Sequence, residues 1–190
     1  VDLFDPVTGK WTEVQHMHGV RRAHTATLLP DGRLLVAGGT NGGKADGNEG
    51  GNQLASSEIY DVAANTWEKV ATPLVTPRTF HTAALMPGGA VLLFGGLDGT
   101  ASTTSSVEGF FEGKWQALPP LLVDRYLHAS ALMDDGTVLV TGGLHQATTE
   151  RYALSDLGGP CGTNVECGAG HCVDGLCCNE ACDTGCRRCD

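Results

Sequence analysis

Three stretches of this chain place an arginine and a histidine three residues apart: Arg21 and His24, Arg78 and His81, Arg125 and His128. An imidazole can ligate a metal or move a proton, and a guanidinium can hold an anion or a carboxylate. Three such pairs on one face of a channel would be a candidate metal or catalytic ring. The same residue at the same place in every repeat also serves the repeat itself, here by hydrogen-bonding neighbouring strands. Glu58, Glu108 and Glu150 recur in the same way and offer partners for the arginines. The reading adopted is structural: no catalytic residue, no metal ligand and no cofactor is assigned.

These residues sit inside a longer repeat, the feature to seek first in any sequence. Arg21–Gly39, Arg78–Gly96 and Arg125–Gly143 align without gaps, with starts 57 and 47 residues apart. Each runs from the Arg-x-x-His through a short strand, a tight turn and an apolar run to a glycine pair: Gly38 and Gly39, Gly95 and Gly96, Gly142 and Gly143. A loop then leads to a strand with an aromatic (Tyr60, Phe110, Tyr152). In two units a strand with a tryptophan follows (Trp67, Trp115). The first thirteen residues, with Phe4 and Trp11, match that second half alone. For the first full unit the expected strands are 24–29, 34–37, 58–61 and 67–70. The run Leu34–Ala37 is continuously apolar, as in a strand covered on both faces. Asp31-Gly32 suits a tight hairpin because both residues tolerate positive φ. The whole chain holds thirteen such strands before residue 154, grouped two, four, four and three.

Four-stranded units at a period near fifty residues are the mark of a β-propeller. The Arg, Gly-Gly, aromatic and Trp positions over 1–153 resemble the Kelch repeat, nearest to its galactose-oxidase-like bacterial branch. The resemblance implies an all-β fold: about three blades of four antiparallel strands, part of a larger propeller with further blades in the same chain. A second copy completing the ring is the alternative. Copper sites of that branch use Tyr, His and a Tyr crosslinked to Cys. Here only Tyr60, Tyr126 and Tyr152 are present, and no cysteine precedes Cys161.

Residues 154–160 look like a linker, and 161–190 like a separate small module. All eight cysteines fall there: Cys161, Cys167, Cys172, Cys177, Cys178, Cys182, Cys186 and Cys189. An even count in a short loop-rich segment reads as a disulfide framework, since thirty residues cannot bury a sufficient core. Zinc is the rival, with Cys186-x2-Cys189, Cys178 and His171 at hand. Disulfides would place the protein outside the cell or on its surface. The segment is similar to Cys-rich modules that follow repeat domains in secreted bacterial proteins.

The net charge of −10 opposes nucleic-acid binding, and no apolar run is long enough to insert in a membrane. The long loop 40–54 carries Asp46, Asn48 and Glu49, and its Asp46-x-Asn48-x-Gly50-Gly51 run bears a faint likeness to a calcium loop, without the oxygen side chain at position five or the Glu at position twelve. With Asp98 of the next unit, Asp46, Asn48 and Glu49 are candidate binding-loop residues. The expected function is a non-catalytic binding or scaffolding module that presents propeller loops to a protein or glycan ligand. The alternative is the non-catalytic part of a secreted galactose-oxidase-like or carbohydrate-active enzyme with its active site elsewhere.

Overall fold

The computed structural model describes residues 1–42 and 52–154, and the backbone of 171–173 and 176–178. The described chain is all β, without a helix. An N-terminal hairpin pairs β1 (Asp2–Asp5) with β2 (Lys10–Glu13). Blade A is β3 (Thr25–Leu28), β4 (Leu34–Ala37), β5 (Ser57–Asp61) and β6 (Thr66–Lys69), in that spatial order. Blade B repeats it with β7 (Thr82–Leu85), β8 (Val91–Phe94), β9 (Val107–Phe111) and β10 (Lys114–Leu118). Blade C has three strands, β11 (Ala129–Leu132), β12 (Val138–Thr141) and β13 (Thr149–Tyr152). Every pairing is antiparallel. In the C-terminal segment β14 (His171–Val173) pairs with β15 (Leu176–Cys178).

The strand count and grouping up to Tyr152 match the sequence reading. The ends shift by a residue. His24 is not the start of a strand, because Ala23 before it has φ 50° and turns the chain sharply into β3. Ser57 joins β5 and Thr66 joins β6, each one residue earlier than the sequence suggests.

Blade B shows why the second strand of each unit is apolar throughout. Side chains alternate along a strand, so β8 faces two ways. Val91 and Leu93 point toward blade A, packing with Leu35, Ala37 and Leu74. Leu92 and Phe94 point toward blade C, packing with Val138, Val140 and Tyr152. All four β8 side chains are buried. Each such side chain contributes about 1.5–3 kcal/mol of transfer free energy. The first strands β3, β7 and β11 lie against one another, so the Arg-x-x-His turns that precede them are brought side by side.

Candidate functional site: the blade-to-blade clamp

In blade B the Arg78 guanidinium is fully buried, and its two terminal nitrogens reach four acceptors. One nitrogen donates to the carbonyls of Gly95 (2.9 Å) and Ser106 (3.0 Å). The other donates to the Ser106 hydroxyl (2.7 Å) and the Glu108 carboxylate (2.6 Å). Blade C repeats the set with Arg125 on Gly142, Thr148 and Glu150. Blade A does so with Arg21 on Gly38, Ser56 and Glu58. The planar fork suits this job, since it satisfies two carbonyls and a carboxylate at once.

The carboxylate has a second task. Glu108 accepts the backbone N–H of Val75 (2.7 Å) and Thr76 (2.9 Å), in the segment leading into the blade. Glu150 takes Leu122 (2.5 Å) and Val123 (3.1 Å) in the same way. Glu58 takes the N–H of His18 (2.8 Å) and also its ring Nδ1 (2.9 Å). Burial pushes the Glu58 carboxyl up, but the bonds from His18 and Arg21 outweigh it and hold it below the usual range. Arg and Glu together therefore lock the second strand, the third strand and the incoming chain of one blade.

The histidines act between blades. His81 Nε2 meets the Thr25 hydroxyl of blade A at 3.0 Å, and His128 Nε2 meets Thr82 of blade B at 2.9 Å. Burial, then the facing Arg78 charge, lowers the His81 pKa to about 3. Burial and Arg125 lower that of His128 to about 4. Both rings are neutral at pH 7. A metal would need converging ligands, and no group of three potential ligands converges among the described residues.

The glycine pairs seat the next blade. Gly39 N–H donates to the Arg78 carbonyl and Gly96 N–H to the Arg125 carbonyl, both at 2.8 Å. Gly38 and Gly95 have φ of 63° and 56°. A Cβ on Gly95 would lie 2.4 Å from the Arg125 oxygen, and one on Gly38 2.7 Å from that of Arg78. Only glycine tolerates both the conformation and the approach.

Two features carry no residue-type signal strong enough to be read from sequence. The residue before each His, Ala23, Phe80 or Leu127, holds φ of 50–53°. Phe80 N–H donates to the Ala23 carbonyl (3.2 Å) and Leu127 N–H to that of Phe80 (3.1 Å), a ladder running from blade to blade. Ser56, Ser106 and Thr148, two places before each Glu, complete the guanidinium shell; their recurrence is visible but their role is not. The tryptophans add a third seam. Trp115 is 4% exposed, stacks on Phe110 at 5.0 Å and donates to the Ser57 hydroxyl of blade A (2.8 Å). Trp67 donates to the Gln15 carbonyl (2.8 Å).

Among the binding-loop candidates, Asp98 spends its carboxylate on its own loop, accepting from Thr100 N–H and hydroxyl and from Ser102 N–H. Burial raises its pKa, but those bonds win and hold it low. Asp46, Asn48 and Glu49 lie outside the described residues, as do the side chains of all eight cysteines.

Residues 21–74, which span blade A and the segment leading into blade B, match the Kelch motif. Blade A thus carries the matched motif, and blade B repeats its strand order. The spermatocyte protein spe-26 of Caenorhabditis elegans is 30% identical over 118 residues, covering 62% of this chain and 19% of that protein. An F-box/kelch-repeat protein of Arabidopsis thaliana is 32% identical over 89 residues, covering 44% of this chain and 18% of that protein. The aligned part of the chain thus spans under a fifth of either relative, and both are eukaryotic. A solved chain described as "Structure of YjhT" superposes with a TM-score of 0.62 at 14% identity, over 76% of this chain and 55% of that one. At that identity the likeness is one of fold.

Proposed function

We propose that this segment is part of a non-catalytic binding scaffold of an extracellular or cell-surface protein, which presents its blade loops to a protein or glycan ligand. The observation that carries the reading is the clamp. The residues that recur, and that could have done chemistry, are spent on the fold: the guanidinium–carboxylate pairs are buried, and His81 and His128 are neutral and bonded between blades. What differs between blades is the loop from second to third strand, 19 residues from Gly38 to Ser56, 12 from Gly95 to Ser106 and seven from Gly142 to Thr148. Variable loops on a repeated frame are the usual seat of recognition.

The extracellular part of the reading rests on the eight cysteines. Protein from its native source should be about 8 Da lighter than its reduced form, two hydrogens for each of four bridges. Free thiols with bound zinc would remove that part. For binding, the test is an exchange of loop 97–103 for the shorter loop 144–147. A partner from the extracellular fraction should lose affinity at least tenfold with the melting temperature unchanged. Undiminished binding by the exchanged chain would overturn the loop assignment. Protease treatment of the partner separates a protein ligand from a glycan.

A further inference from the structure

Glu58 differs from the other clamp carboxylates in what stands over it. Glu108 binds the amide of Val75 and Glu150 that of Leu122, whereas Glu58 binds the amide of His18 and its ring Nδ1 as well. The residue paired with Glu58 across the hairpin is Lys69, where blade B pairs Ala117 with Glu108. Two places after the glycine pair, blade A has Asn41 and blade B has Asp98. Each exchange adds a donor or removes an anion, so blade A departs from the repeat in one chemical direction.

His18, Asn41 and Lys69 line one cavity of about 640 Å³, with Leu54, Val70 and Pro73 as its apolar side. The walls belong to blade A and to the segments that enter and leave it. The size is that of a small-ligand site. Lys69 shares a face of the hairpin with Glu58, since directly paired residues project together. It still makes no ion pair among the described residues, because both carboxylate oxygens are occupied, Oε1 by Arg21 and Oε2 by His18. An ionised carboxylate only accepts, so the His18 Nδ1–H donates to Glu58 and leaves Nε2 without a partner among the described residues. The charged groups that line the cavity beside that ring are Glu58, Arg21 and Lys69, a positive balance.

We propose that this cavity binds a carboxylate carrying an aliphatic group, from a free short-chain acid or from the C-terminus of a peptide. The carboxylate oxygens sit between the His18 Nε2 and the Lys69 ammonium, and the hydrocarbon lies on Leu54, Val70 and Pro73. The charge balance calls for the anion and the apolar side for the hydrocarbon. No Phe, Tyr or Trp stands among the described residues that line the cavity, so a sugar ring has no face to stack on. Nε2 must donate to the ligand while Nδ1 goes on donating to Glu58. The imidazole therefore holds the ligand as its cation, and the complex takes up a proton.

The inference goes beyond the scaffold reading, and loop 97–103 takes no part in the cavity, so either can fail alone. The probes are isocaproate, N-acetylleucine, N-acetylleucinamide and glucuronate, titrated into the full chain while the His18 ring is followed by NMR. Both aliphatic carboxylates should shift the ring saturably. Tighter binding of isocaproate names the free acid as the source, and tighter binding of N-acetylleucine names the peptide end. The amide, alike in shape but uncharged, and glucuronate, charged but without an aliphatic group, should bind at least tenfold more weakly. Affinity for the carboxylates should fall at least tenfold from about pH 5.5 to about pH 8, as the imidazole loses its charge. His18→Val with Lys69→Ala, the kinds of residue blade B carries, should abolish binding at an unchanged melting temperature. Lys69→Gln alone, at an exposed position, should weaken binding and leave the clamp intact. No saturable shift with either carboxylate, equal binding of the amide or of glucuronate, an affinity indifferent to pH, or full binding by the double variant overturns the proposal.

Discussion

The N-terminal hairpin and the outer half of blade B have the same strands, the same register and the same aromatic pair at the same 5.0 Å, yet one tryptophan is exposed and the other sealed. Local sequence dictates the hairpin: alternating strands, a turn with Gly9 or Gly113 at positive φ, and an aromatic contact across the pair. The neighbouring blade supplies the burial. Stability in this fold is therefore a property of junctions, as expected for repeats that contact only their neighbours.

The largest blow to that contrast should come from opening a sealed clamp. Arg78→Leu leaves Glu108 buried without its cation and should cost about 3–5 kcal/mol in denaturant unfolding. A loss below about 1 kcal/mol would mean the guanidinium does not hold the blade. Trp115→Ala should cost about 3–5 kcal/mol, and Trp11→Ala less than about 1 kcal/mol, because only the first leaves a cavity. Equal costs would erase the distinction between the two hairpins.

Glycines sharpen it further. Gly95→Ala and Gly142→Ala carry similar strain, at φ of 56° and 69°. Only the first drives a methyl into a neighbour, since the nearest atom to a Cβ on Gly142 is 4.0 Å away. Gly142→Ala should cost about 1 kcal/mol, the ordinary penalty of such a conformation, and Gly95→Ala clearly more. Thermal melts of the two variants decide it.

Acid gives a more gradual effect. His81 and His128 remain neutral in the fold down to about pH 3 and 4 respectively, while in the unfolded chain they take protons near 6.5. The unfolded state thus binds more protons as pH falls below 6.5, so stability is full above that value and declines beneath it. The low pKa of Glu58 adds a loss of the same sign at lower pH. Each neutral histidine should contribute a slope of up to about 1.4 kcal/mol per pH unit. His81→Asn should flatten the profile between pH 6.5 and 4.5 by one such increment; an unchanged profile would show that the ring is not sealed.

Much of this was legible in the sequence because the repeat aligns without gaps. The apolar run Val91–Phe94 announces a strand buried on both faces, and the glycine pairs announce a place where no side chain fits. What was not legible is held by the backbone. That Glu108 would bind the amides of Val75 and Thr76 has no signature, because every residue but proline offers an amide. The left-handed turn at Phe80 is equally silent, since an aromatic there breaks the local rule and persists only through the bonds around it. Ser106 and Thr148 read as ordinary loop residues until the guanidinium shell is seen.

The central claim is that the recurrent residues join blade to blade, and the amide hydrogen exchange of three equivalent glycines tests it most directly. Gly39 and Gly96 donate across a junction, whereas Gly143 has no such acceptor among the described residues. Native-state exchange followed by NMR should show Gly39 and Gly96 protected at least a hundredfold more than Gly143. Equal protection of all three, or rapid exchange of Gly39 and Gly96, would contradict the account.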